Sequence, residues 1–432
     1  MTIICGTDFS TVAEHACRVA ALLAAQYDAP LVIVHAIAPV TVPPAPGLDR
    51  MLEDVKASAD RAMADLKARL GNERLKLTTV VRAGAPADVL LGETAHAHAR
   101  LVVLGSVGQR EKSWLLGSTS DAVVSRSDVP VLVVRDRFPA DSWLHERTPL
   151  RVTVAAELAP STDPAVEWAA GLTQLGPCQF TLAHVSWPPE EYERLAIETP
   201  MRLDRTHPLV EEVVRRELDA AASRLRGEGE TKIVVQSNMG RTGEAISLVA
   251  KDEGSDLLVV GRGRAEGREW WERSVSRAVV RNAPLSVVCI PDTTEAEALP
   301  TPQIRRVLAA TDFSPLGNAA VAYALSITPD GGEVLLVHAM EESAGEDERN
   351  QSRERLERLA AGQSGRCQVQ TNVLTGDDPA RLISASAERF GADVICVGSR
   401  GGYGLAKALL GSVSQSVLLR SRRPVLVVQS PP

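Results

Sequence analysis

The sequence predicts an α/β protein built from three tandem copies of one doubly wound parallel sheet, and three observations carry that prediction. Short unbroken apolar runs, which read as strands covered on both faces, alternate with longer stretches of helical periodicity. Their order recurs three times along 432 residues, a length that itself suits about three domains. The opening Thr2–Ser10 segment is nearly repeated as Arg306-Val-Leu-Ala-Ala-Thr-Asp-Phe-Ser314.

In the first copy, Thr2-Ile-Ile-Cys-Gly is a strand that ends in Thr7-Asp8. An Ala-rich stretch from about Val12 to Tyr27 places Ala16, Ala20 and Leu23 on one helical face. Leu31-Val-Ile-Val-His35 is the second strand, so the chain opens with a βαβ unit. A Pro-rich loop, an amphipathic helix over 49–70 and a third strand at 76–81 follow. Gly84-Ala-Pro-Ala-Asp88 starts another helix, with Pro86 suited to its first turn. Leu101–Gly105 and Val131–Val134 are the fourth and fifth strands, separated by a helix over 118–125. The result is a five-stranded parallel sheet flanked by helices.

After a polar linker (136–149) the order returns, with strands at 152–155, 181–185, 257–261 and 285–288. An acidic linker (292–303) leads to the third copy, with strands beginning at Arg306 and at 334–338, 394–398 and 425–428. The predicted domains are therefore 1–136, 150–292 and 304–429. A histidine closes the second strand of each copy, at His35, His184 and His338, and serves as a register mark. Its ordinary role is a hydrogen bond from a partly buried ring to backbone.

Composition narrows the function. Hydrophobic residues make up 44% and charged residues 24%, as in a soluble globular protein, whereas aromatics are only 3%. A net charge of −8 and a pI near 5.6 repel polyanions, which argues against nucleic-acid binding. The six cysteines lack CxxC spacing and several lie inside apolar runs, and neither an export signal in the opening residues nor a membrane span in any apolar run is expected. A cytoplasmic protein is expected.

The chemistry concentrates where the fourth strand of the third copy empties into a loop, in the pattern Gly398-x2-Gly401-x9-Gly411-Ser412. Glycines there let backbone approach an anion and take positive φ, and a following helix start offers N–H groups to phosphate oxygens. Ser412 can donate to phosphate or cap the helix. The plain alternative is a glycine-rich turn with Ser412 as its N-cap.

With these residues in view, the chain resembles the universal stress protein family over nearly all its length, as three tandem domains. The resemblance implies Rossmann-like folds of the adenine nucleotide alpha hydrolase type. It also implies ATP, carried with Mg²⁺, in the subclass that keeps the glycine motif. In the third copy it assigns Asp312 to the nucleoside and Ala339 to the adenine. Gly398, Gly401, Gly411 and Ser412 go to the phosphates, with Val413 and Ser414 adjoining. The first copy is a variant: Asp8, Ala36, Gly105, Gly108, then Gly117-Ser118 after eight residues instead of nine. Lys112 and Arg110 lie inside that loop.

In the second copy, Arg264 and Arg273 replace the second and third glycines and Glu157 stands at the aspartate position. That copy is expected to be a structural partner, or an anion site of another kind built from Arg262, Arg264 and Arg268. Trp270-Trp271 is read as helix packing, and no zinc site is expected at His96-Ala-His98.

The expected function is an ATP-binding stress-response protein acting through nucleotide-dependent conformation or partner contacts. A slow ATPase or other nucleotide-using hydrolase, and a non-binding scaffold, are the alternatives; no general base or other catalytic residue is identifiable. Because family members pair through the last strand, an odd number of copies implies one intrachain pairing and a homodimer formed by the remaining copy.

Overall fold

The chain is described by a computed structural model over residues 2–38, 48–70, 75–107, 117–135, 138–158, 162–199, 201, 205–262, 274–291, 304–361, 366–399 and 411–429. It forms two compact units, residues 1–186 with 218–295, and residues 187–217 with 296–432. Among the described residues no helix is long and apolar enough to cross a membrane.

The first unit begins with β1 (Thr2–Gly6), α1 (Thr11–Gln26), β2 (Leu31–Ile37), α2 (Leu48–Leu70), β3 (Leu77–Ala83) and α3 (Pro86–His96). It continues with β4 (Ala99–Gly105), α4 (Ser118–Arg126), β5 (Val131–Val134) and α5 (Ala140–Leu144). The second copy runs through β6 (Leu150–Ala155), α6 (Thr162–Gly171), β7 (Cys178–Ser186), α7 (Pro188–Arg194) and α8 (Pro208–Ala222). It ends with β8 (Lys232–Ser237), α9 (Thr242–Asp252), β9 (Leu257–Arg262), α10 (Val275–Asn282) and β10 (Ser286–Pro291).

These strands form one ten-stranded sheet in the order β3-β2-β1-β4-β5-β10-β9-β6-β7-β8. Every pairing is parallel except the central one, where β5 and β10 run antiparallel through Val133 with Val287, Leu132 with Val288 and Val131 with Cys289. The first two copies thus cover each other's last strand. Val123, Val124, Val131 and Val133 of one share a buried cluster with Val279, Val280, Val287 and Cys289 of the other.

Charge fastens this seam in both directions. Arg262, at the end of β9, donates to the carbonyls of Val124 and Ser127 at 2.6 Å each, where α4 ends. Arg135, just after β5, donates to those of Val280 (3.2 Å) and Arg281 (3.4 Å), where α10 ends. A helix C-terminus carries partial negative charge and unpaired carbonyls, so a cation there is favourable. Arg277 and Asp121 add a paired contact at 2.9 and 3.1 Å.

The segment expected to be a polar linker differs from that expectation. Residues 140–144 form α5, which buries Phe138, Trp143 and Leu144, with Trp143 only 1% exposed. A single helical turn brings Ala140, Trp143 and Leu144 to one side, with Phe138 just before it edge-on to Trp143, a pattern too short for periodicity to reveal.

The second unit holds the third copy: β11 (Arg306–Ala310), α11 (Pro315–Ile327), β12 (Glu333–Met340), α12 (Glu346–Ala361), β13 (Gln368–Thr375), α13 (Pro379–Phe390), β14 (Val394–Gly398), α14 (Ser412–Arg420) and β15 (Val425–Val428). The sheet order is β13-β12-β11-β14-β15, all parallel, with apolar clusters on both faces. Side chains set the helix starts. Ser314 accepts from Gly317 N ahead of α11, and Asp378 from Arg381 N ahead of α13, each followed by proline.

Residues 187–217 pack within this unit through a buried ion cluster. Arg194 of α7 pairs with Glu191 (2.7 Å), Glu217 (3.2 Å) and Glu388 of α13 (3.0 Å), and Arg423 pairs with Glu217 and Glu388. The Arg194, Glu191 and Glu388 side chains are each no more than 6% exposed. Three carboxylates face two guanidiniums, so burial, helped by repulsion from Glu388, holds the Glu217 carboxyl above its ordinary value despite both arginines.

Removing one partner of such a cluster leaves buried charge uncompensated. Arg194→Ala is expected to lower the stability of this unit by about 3–5 kcal/mol. Arg422→Ala, at the exposed pair with Glu190, should cost less than about 1 kcal/mol. Chemical denaturation of the two variants beside the parent checks the contrast.

Candidate functional site

The strand order reverses between β1 and β4, and again between β11 and β14, which opens a crevice at the carboxyl ends of those strands. In the third copy the crevice is a cavity of about 250 Å³. Thr311 and Asp312 enter it from the end of β11, His338 and Ala339 from β12, Val397 and Gly398 from β14. Gly411, Ser412, Val413 and Ser414 enter from the start of α14. The structure therefore brings Asp312, Ala339, Gly398, Gly411, Ser412, Val413 and Ser414 together. Gly401 lies outside the described residues.

Local chemistry fixes each wall. Thr311 is buried, and its hydroxyl accepts from Phe313 N (2.9 Å), while Asp312 Oδ1 accepts from Ser314 N (3.0 Å). This turn holds Phe313 at φ 62°, a region costly for a bulky residue. The ring is gripped on two sides: its centroid is 4.5 Å from that of His338, and the Arg355 guanidinium sits 3.9 Å above it. His338 Nδ1 donates to the Thr311 carbonyl at 2.8 Å, as His35 does to Thr7 (2.8 Å) and His184 to Ala156 (2.9 Å). The histidine thus ties the second strand to the end of the first in all three copies.

Gly398 is a contact requirement. A Cβ there would meet the Leu316 backbone at 2.8 Å and Gly317 N at 3.0 Å. Gly105 is similar, with Ala13 N at 3.2 Å. Neither glycine takes a left-handed φ, so the positive φ expected from sequence is not their reason for being there. They let the first turn of α11 or α1 touch the strand end. A side-chain bond then locks the next helix to that same strand: Ser414 donates to Gly398 O (2.6 Å), Ser120 to Gly105 O (2.8 Å) and Ser276 to Gly261 O (2.9 Å). The Ser414 hydroxyl is therefore committed to the fold.

The helix that follows separates the copies. In the third, the N-cap of α14 is Gly411, with no side-chain bond, and Ser412 is the first helical residue instead of the cap. The first copy matches, with Gly117 capping α4 and Ser118 next. In the second, Ser274 is itself the N-cap and accepts from Arg277 N at 3.2 Å. The side-chain cap made in the second copy is thus absent from the other two.

The first-copy cavity, about 460 Å³, is lined by Asp8, Ala36, Gly105, Gly117 and Ser118 among others. Gly108, Arg110 and Lys112 lie outside the described residues, as do Arg264, Arg268, Arg273, Trp270 and Trp271. Arg262 is described, and its two terminal nitrogens serve the α4 carbonyls. Sequence reasoning passed over Gly317, Pro379 and Ile383, which also line the third cavity. Gly317 packs closely on the aspartate, since a Cβ there would lie 2.5 Å from Asp312 Oδ1, but the first copy carries Ala13 at the matching position beside Asp8, so spacing alone did not mark it.

Comparison with known proteins gives a consistent result. The profile of the Universal stress protein family matches residues 1–135, 150–291 and 303–429. Universal stress protein Rv2005c of Mycobacterium tuberculosis is 30% identical over 304 residues, covering 64% of this chain and 96% of the relative. Universal stress protein Rv2623 of the same organism is 30% identical over 299 residues, covering 65% and 96%. A crystal structure of a universal stress protein from Archaeoglobus fulgidus aligns over 67% of this chain and 96% of its own, at 19% identity and a TM-score of 0.46.

The capping difference yields a contrast between two serines. Ser274→Ala is expected to destabilise the first unit by about 1 kcal/mol through loss of the cap. Ser412→Ala should leave the stability of the ligand-free protein within about 0.5 kcal/mol. Urea denaturation of each variant measures this.

Proposed function

The chain belongs to the universal stress protein family, and from that premise we propose that it binds ATP, carried with Mg²⁺, in the third-copy cavity. Family membership supports a stress-response role. The observation that carries the ATP reading is that an uncapped helix start at Gly411 and Ser412 and the Asp312 carboxylate line one crevice. The fit is chemical. Helix N–H groups without a cap suit phosphate oxygens, an aspartate suits ribose hydroxyls, and Ala339 offers an apolar surface for a base. Nucleotide-dependent conformation or partner contacts are the proposed mode of action, with hydrolysis at most slow.

The first-copy cavity repeats this design, with Asp8, Gly117 and Ser118 in one lining, and is proposed as a second site whose loop is one residue shorter. The second copy, with its helix capped by Ser274, is proposed as a structural partner. A cytoplasmic setting fits this use of ATP.

The remaining terminal strand supports a homodimer. β5 and β10 are fully buried against one another, whereas β15 is largely half-exposed, and Leu419 on α14 is 79% exposed. A second copy of the chain placed on β15 would cover that edge.

Two measurements test these proposals. Titration calorimetry with Mg·ATP is expected to show binding, and Asp312→Ala to weaken it at the third copy about 10- to 100-fold, as for a lost hydrogen bond to a charged group. No binding at millimolar ATP overturns the reading. Light scattering is expected to give about twice the 46.2 kDa chain mass, and Leu419→Glu to shift it toward the single chain.

A further inference from the structure

Cys5 in β1 and Cys17 in α1 place their sulfur atoms 3.4 Å apart, and both residues are completely buried. The contact joins the strand and the helix that contribute residues to the first-copy cavity. Gly6, Thr7 and Asp8, which follow Cys5, line that cavity, as does Ala13 of the same helix as Cys17. At 3.4 Å the two sulfurs are already in contact, and a disulfide of about 2.05 Å would close the remaining gap between them.

The other copies show what packing alone asks of these two positions. Counting from the shared landmarks, the second copy has Val154 and Val166 there, and the third has Ala309 and Val321, all buried. A small apolar pair is sufficient for the fold. Only the first copy places a thiol at both positions. Cys178, Cys289, Cys367 and Cys396 are likewise free.

We propose that Cys5 and Cys17 are an oxidation site, forming a reversible disulfide with peroxide as the oxidant and tying together β1 and α1, the strand and helix that contribute to the first cavity. In the first step one thiol sulfur attacks a peroxide oxygen, giving a sulfenic acid and water. In the second the other sulfur displaces that hydroxyl as water and the S–S bond forms. Two thiols and one hydrogen peroxide become one disulfide and two waters; the sulfurs lose two electrons and the peroxide gains them. This thiol chemistry is independent of what the cavity binds.

Burial governs the rate. The neighbouring thiol and desolvation hold Cys5 well above the ordinary cysteine value, so it remains a thiol in the closed protein. Reaction therefore follows local opening of the β1–α1 contact, and sub-denaturing urea should accelerate it.

Mass spectrometry tests the proposal on the full chain. Residues 1–18 contain no lysine or arginine before Arg18, so both cysteines fall in one tryptic fragment. After peroxide and alkylation, that fragment is expected to carry no alkyl groups and to weigh about 2 Da less than the unalkylated reduced form. Dithiothreitol should restore two alkylation sites, and Cys17→Val, the residue found in the other copies, should abolish the mass loss. Two alkylated cysteines after peroxide, with or without urea, overturn the proposal. So does sulfinic or sulfonic acid without the internal bond, or an unchanged mass loss in Cys17→Val.

Discussion

The contact on which the candidate sites depend is the touch between the end of one strand and the first turn of a neighbouring helix, at Gly105 and Gly398. Removing the side chain at that point lets α1 or α11 close against β4 or β14. The carbonyl of the same glycine then receives the hydroxyl of Ser120 or Ser414 and fixes where the following helix begins. One residue thus sets two helices relative to the crevice. The second copy keeps the second half of this arrangement, Ser276 on Gly261, which is why its helix start is also in place although its loop sequence has changed.

A different physical logic joins the first two copies. Antiparallel pairing of β5 with β10 turns two sheet edges into an interior, and the helix ends beside it are neutralised by arginines of the opposite copy. Arg262 could be read from sequence as a ligand for an external anion. In the structure its partners are carbonyl oxygens at the end of α4, an internal substitute for such a ligand. Nothing near Arg262 in the chain announces those acceptors, because they lie well over a hundred residues away.

This contrast explains which features were legible in the sequence. The central strands were found because burial on both faces leaves runs such as Leu31-Val-Ile-Val-His35 unbroken, and the histidine register mark corresponds to one backbone bond made three times. The edge strands β8 and β13 of the later copies were not located. Gln368-Val-Gln-Thr-Asn-Val-Leu-Thr375 is mostly polar, with only Val369, Val373 and Leu374 apolar and no fully buried position, so its pairing with β12 shows only in three dimensions. The candidate residues at the third crevice were legible through glycine spacing and strand ends. The distinction between Ser274 and Ser412 was not, since it turns on whether the helix begins one residue earlier or later.

A helix whose first N–H groups have no side-chain cap is incomplete on its own, and an anion that completes it binds the folded chain and not the unfolded one. By mass action, its concentration then enters the folding equilibrium of that copy. The second copy, with Ser274 in the cap position, does not rely on an outside partner for that bond. Within one polypeptide, resistance to unfolding would follow the anion supply at Gly411 in the second unit and at Gly117 in the first, where the second copy shares the sheet, so proteolytic lifetime could register that supply before any partner protein is engaged.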